Sequence, residues 1–222
     1  MMKLDIFSDP ICPWCYIGKS YLDRALEKVD NHPFNIQWHP FQLNPEMPIE
    51  GVDRKKYLET KFGSRDLAVK AYTPVLEHAH SAGLNLKLEY IEKTPNTLSS
   101  HRLILWAWQE GVQNAVVSAL FKAYFVEGRD IGKNAVLVDI SHNAGFSGDL
   151  VSRLLAGKND LEKVIKLDKA AKKMGVNSVP TFILNGKHVI TGAQNVEFWS
   201  NLIIEVKESI GLSLRHMEKK GG

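Results

Sequence analysis

Apolar and polar residues alternate over Leu4-Asp5-Ile6-Phe7 and predict a short strand at the start of the chain. Pro13 follows where a helix accepts it, at the first helical position, because an N–H there has no partner to lose. Ile17, Tyr21, Ala25 and Val29, with Leu22 and Leu26 beside them, recur at helical spacing until Asn31-His32-Pro33 ends the pattern. Ile36 to Phe41 reads as a second strand. The chain opens as strand, helix, strand.

From about Asn44 to Lys158 the periodicity is helical only. Leu98, Leu105 and Trp108 predict one apolar face. Val117, Leu120, Phe121 and Tyr124 predict another at i, i+3, i+4, i+7. Pro74 interrupts the Ser64–Ala82 pattern and predicts two helices or one kinked helix. Asp149 to Ala156 reads as a further short helix, and Gln42 to Asp53, rich in Pro and Gly, as the linker into this part. Beyond Asn159, Leu161, Val164, Leu167, Ala171 and Met174 mark a helix that stops at Gly175. Thr181–Leu184 and Val189-Ile190 flank Asn185-Gly186, the strongest short hairpin signal in the sequence. Trp199, Leu202, Ile203, Val206 and Ile210 line a last helix.

The order is therefore β-α-β, a helical block, then α-β-β-α. An α/β fold is expected, with residues 1–43 and 159–212 building one mixed sheet flanked by helices. Residues 44–158 form an inserted all-helical domain, and 213–222 a polar, frayed tail. Length allows this: 222 residues suffice for one large domain carrying an insertion. The net charge of +3 is mild, and Arg215, Lys219 and Lys220 against Glu218 supply +2 of it. No nucleic-acid surface is expected from so neutral a body. No apolar run reaches membrane-spanning length, and Asp5 interrupts the first apolar stretch before it resembles a secretory leader. Cytoplasmic residence follows as the default, where structural disulfides are not expected.

Chemistry concentrates in Cys12-Pro13-Trp14-Cys15, which holds both cysteines of the chain. Two thiols one helical turn apart can close a disulfide. A cysteine at the helix start would face unpaired N–H groups and the positive end of the macrodipole, both of which favour thiolate. Cys12 is thus the expected nucleophile and the more exposed thiol, and Cys15 the buried resolving one, with Pro13 supporting the turn. Structural zinc needs four ligands; there is no second cysteine pair, and His39, His78, His80, His101 and His142 lack ligand spacing, so no metal site is expected. Trp14 either contacts substrate and tunes the pair or simply packs. His101 reads as a satisfied core histidine, Lys19 as a solvated lysine, and Asp9 as an N-terminal helix cap. In Ser178-Val179-Pro180-Thr181 the proline restricts Val179 to extended backbone and cannot donate to a sheet.

Four segments in order carry a resemblance: Ser8 to Gly18 around the cysteines, Trp38 to Pro45, Asn96-Thr97 with His101-Arg102-Leu103, and Val179-Pro180-Thr181-Phe182 with Asn185-Gly186-Lys187 and Gly192-Ala193-Gln194. Together they resemble the DsbA-like thioredoxin superfamily, FrnE-like branch, over nearly the whole chain. The resemblance implies a thioredoxin fold with an inserted helical domain covering the active site. It also implies that Pro180 is cis beside the cysteines and that the Val179 backbone pairs with an extended substrate. One departure stands out: related thioredoxins carry a buried carboxylate six residues before the first cysteine, where this chain has Ile6, so the proton acceptor for Cys15 is unassigned. The implied activity is thiol–disulfide oxidoreduction on protein or small-molecule disulfides. It needs no tightly bound cofactor, uses glutathione or another thiol as a co-substrate, and relies on an external reductant or oxidant. Neighbouring branches offer an alternative, glutathione-dependent isomerase or transferase chemistry of the 2-hydroxychromene-2-carboxylate isomerase and kappa-class type. A non-enzymatic, chaperone-like binding module comes third.

Overall fold

The computed structural model describes residues 1–218, with side chains through Gly211. Strand β1 (Met2–Ser8) runs into helix α1 (Pro13–Leu26), and β2 (Phe34–Pro40) returns parallel to β1, pairing Ile6 with Trp38 and Phe7 with His39. The inserted part begins with β3 (Val52–Asp53), α2 (Arg54–Phe62) and α3 (Arg65–Ser81). It continues through β4 (Lys93–Thr94), α4 (Leu98–Gln109), α5 (Gln113–Phe125), α6 (Asn134–Asn143) and α7 (Gly148–Ala156). Helix α8 (Leu161–Lys173), the hairpin β5 (Thr181–Leu184) and β6 (His188–Thr191), and α9 (Val196–Glu218) complete the fold. The main sheet has the order β2-β1-β5-β6, with β5 antiparallel to both neighbours. Positive φ at Asn185 and Gly186 turns that hairpin.

Several expectations need correction. The insertion is not purely helical, because Val52 pairs with Thr94 and Asp53 with Lys93. Strands of two residues are too short to show a period of 2. Pro74 neither splits nor ends α3. It costs the helix one backbone bond, while α1 grips the helix end: the Ser20 hydroxyl donates to the Ala82 carbonyl, Arg24 to Ser81 and Tyr21 to His78. On α4 the buried face is Ser100, Leu103, Ile104 and Ala107, and Leu98, Leu105 and Trp108 are only half-buried. Met174 is exposed, since α8 buries Val164, Asp168 and Ala171 instead. In the tail expected at 213–222, α9 continues to Glu218, and 219–222 lie outside the described residues.

One buried cluster unites the parts. Leu4, Ile6, Ile17 and Leu22 from the sheet and α1 share it with Leu103, Val117, Leu120 and Phe121 from the insertion and Trp199 from α9. Polar ties cross the same boundary. The Gln113 side chain accepts the Trp38 N–H at 2.8 Å and donates to the Trp38 and Ile104 carbonyls, which covers the outer edge of β2. Within the sheet part, Asp168 accepts the Gln42 N–H at 2.7 Å and pairs with Lys172.

Candidate active site

The cysteines sit where β1 delivers the chain into α1. Cys12 is the N-cap of that helix, with extended backbone, and Pro13 occupies its first turn. The Cys12 N–H donates to the Asp9 carbonyl at 2.9 Å, and the Cys12 carbonyl accepts the N–H groups of Cys15 and Tyr16. Both thiols are free and buried, Cys12 at 4% exposure and Cys15 at 1%. Their order matches expectation, but Cys12 is far less open than expected. No N–H of the first turn bonds to its side chain. The Cys12 thiol instead meets the Val179 carbonyl at 3.6 Å.

Val179 and Pro180 therefore face the pair from the far end of the sequence. Their peptide bond is cis, Pro180 is buried, and Val179 is half-buried. Pro180 rests on α1 one turn beyond the pair, where a Cβ on Gly18 would stand 3.1 Å from its ring. A glycine at 18 makes that close approach available. The Val179 carbonyl is engaged by Cys12 in this resting arrangement rather than standing free.

Burial pushes the Cys15 thiol well above its ordinary range, with a hydrogen bond from Cys12 and the Cys12 charge acting in the same direction. Ser8 and the Asp9 backbone act in the opposite direction. Ser8 escaped the sequence reading, although its place at the end of β1, in the segment that resembles the family, was the available signal.

Of the neighbours, Lys19 and Asp9 differ from expectation, and Trp14 takes the packing role, one of the two read for it. Trp14 turns toward the insertion, its ring 5.2 Å from His78 of α3 and edge-on. Lys19 is not solvated; it is 2% exposed, paired with Asp23 and within 5.9 Å of the Trp38 ring. Tyr16 stacks on Phe121 and packs α1 against α5. Asp9 does not cap α1, because its fully buried carboxylate accepts the Leu43 N–H at 2.7 Å and the Ile11 N–H at 3.4 Å. His101 is a core residue as expected, yet its Nε2 has no hydrogen-bond partner and lies 3.7 Å from Asp9.

A mixed sheet with its cysteine pair at the strand-to-helix turn and a cis proline opposite is one arrangement, and the sequence pattern that describes the DSBA-like thioredoxin domain matches residues 3–203. The chain belongs to this family. Among solved structures, the probable DsbA oxidoreductase SCO1869 from Streptomyces coelicolor superposes with a TM-score of 0.82 at 24% identity, covering 94% of this chain and 91% of its own. A 2-hydroxychromene-2-carboxylate isomerase gives 0.66 at 17% identity, with 98% of each chain covered. The cytosolic disulfide reductase DsbM from Pseudomonas aeruginosa, solved with GSH, gives 0.64 at 19%, covering 96% of this chain and 99% of its own. These likenesses show the DsbA-like thioredoxin fold. No described helix is long and apolar enough to cross a membrane.

Proposed function

We propose that the protein is a thiol–disulfide oxidoreductase acting on protein or small-molecule disulfides. The observation that carries this reading is the pairing of two free thiols on one turn, with Cys12 at the helix N-terminus against the Val179 carbonyl. Cys12 attacks a substrate disulfide and forms a mixed disulfide. Cys15 then attacks the Cys12 sulfur, closes the internal disulfide and releases the substrate thiolate. Val179 offers its backbone to an extended substrate, Pro180 packs beside the pair, and Pro13 fixes the turn. Trp14, half-buried at the mouth, joins the contact surface. An external thiol, glutathione in the simplest case, reduces the pair again without being a bound cofactor. A cytoplasmic thiol pool would hold it reduced between turnovers, and the Pseudomonas neighbour described as a cytosolic disulfide reductase is consistent with that.

The isomerase neighbour supports a second reading, in which glutathione binds at the Val179 backbone and Cys15 is dispensable. Insulin-disulfide turnover with a thiol donor separates the two. The oxidoreductase reading expects Cys12→Ser to abolish turnover with the fold intact, and Cys15→Ala to stop after one mixed disulfide. Full multiple turnover by Cys15→Ala overturns it in favour of the isomerase or transferase.

A further inference from the structure

Disulfide closure releases a proton from Cys15, and Ile6 stands where related thioredoxins offer a carboxylate to receive it. Two buried titratable groups meet beside the cysteine turn, Asp9 on the turn itself and His101 on α4. The Asp9 carboxylate accepts two backbone N–H groups but has no Lys or Arg within ion-pair distance among the described residues. His101 Nε2 is buried, partnerless and 3.7 Å from Asp9 Oδ1. A buried carboxylate without a cation and a buried ring nitrogen without a partner are both unfavourable. A proton on His101 would remove both deficits at once.

Asp9 is also tied to the cysteine turn through its backbone, where its carbonyl accepts the Cys12 N–H at 2.9 Å. On the other side, His101 lines a cleft of about 280 Å³ between β2, α4 and α8, with exposed Gln109 and Lys163 on its wall. The other titratable groups facing this cleft are His39, bonded to Asp5, and Lys163, 3.8 Å from Asp160. Neither is bonded to Asp9 or His101.

We propose that Asp9 and His101 form the proton-holding pair of the cysteine site, with His101 exchanging protons with solvent through this cleft. The proposal rests on the oxidoreductase reading above. In the closing step a bond forms between the Cys15 and Cys12 sulfurs and the bond from Cys12 to the substrate sulfur breaks. The substrate leaves as a thiolate with the electron pair. The proton lost from Cys15 passes to bulk water, and His101 Nε2 takes up another from solvent through the cleft, so the buried site keeps its net charge while the thiolate attacks. The coupling acts through charge, since no side-chain bond from Asp9 or His101 reaches either sulfur among the described residues. Both are therefore positioning residues.

The test is stopped-flow reaction of the reduced protein with 5,5′-dithiobis(2-nitrobenzoate) between pH 5 and 9. The first thiolate released reports attack by Cys12, and the second reports closure by Cys15. In His101→Gln the second step is expected to slow about tenfold, the equivalent of one pKa unit, and to lose the pH inflection of that step, while the first step changes less than twofold. Asp9→Asn keeps the oxygen that accepts backbone N–H groups, removes the charge, and should erase the same inflection even if His101→Gln does not fold. A purely structural role would lower thermal stability but leave the pH profile of the second step in place. An unchanged profile in either folded variant overturns the proton-holding pair and spares the oxidoreductase reading. A wild type that releases no second thiolate, with Cys12 modified, overturns that reading instead.

Discussion

Cys15 sets the direction in which the reduced protein responds to alkali. Burial raises its thiol, so the folded chain keeps a proton that the unfolded chain has lost. Stability from this group is complete below the unfolded thiol value, about 8.5, and is lost as pH rises from there toward the folded value. The slope can reach about 1.4 kcal/mol per pH unit in that window. Melting curves of the reduced protein from pH 7 to 10 should fall above about 8.5, and Cys15→Ala should flatten them; an equal fall in that variant would assign the loss to other groups. The cysteines and Pro13 were legible because their chemistry is local, three positions along one helix. His101 and Asp9 were not, because 92 residues separate them and only the fold brings the ring to the carboxylate. Lys19 misled for a related reason: a lysine in sequence looks solvated, and only tertiary packing shows Asp23 and Trp38 enclosing it.

Among the elements, α1 carries the tightest constraint, because the Pro180 turn lies against its Gly18. A Cβ there would meet the Pro180 ring at 3.1 Å and the Ala193 backbone at 3.4 Å. A branched side chain cannot be accommodated unless the turn that faces Cys12 moves. Gly18→Val is expected to destabilise the protein by about 1–3 kcal/mol, the usual cost of overpacking. It should also alter the rate at which Cys12 reacts with a model disulfide, since Val179 shares the displaced turn. Denaturant midpoints with matched kinetics check both effects. Unchanged values would mean that the turn gives way freely. Helices with a dense apolar face, such as α5, were legible from spacing alone. Element limits failed where tertiary contacts outweigh local rules: α3 continues through Pro74 because α1 holds its far end, and β3 and β4 exist only as partners of each other. Asn185-Gly186 was readable because a turn needing positive φ demands those residue types locally.

At the scale of the whole molecule, the run of helices between β2 and α8 was visible in the change from mixed to helical periodicity, but its interlock with the sheet was not. That interlock depends on single polar side chains, which carry no periodic signal. Gln113 satisfies both backbone groups of Trp38, Asn114 accepts the Trp38 ring N–H, and the Trp106 ring N–H donates to Asp160. With one apolar cluster running through both parts, neither can lose its packing without exposing the other. We expect a single cooperative unfolding transition despite the chain length. Tryptophan fluorescence samples both parts, from Trp14, Trp38 and Trp199 on one side and Trp106 and Trp108 on the other, while far-UV circular dichroism weights the helices of the insertion. The two signals should superimpose in a urea titration. Gln113→Leu leaves the Trp38 N–H and carbonyl without this partner and should shift both curves together by about 1–3 kcal/mol. Two separated transitions, or a Gln113→Leu shift confined to one signal, would show that the insertion unfolds on its own. The cysteine turn would then sit on a thioredoxin core able to outlast its cover. Coincident curves instead make the insertion part of what holds the Cys12–Cys15 site in shape.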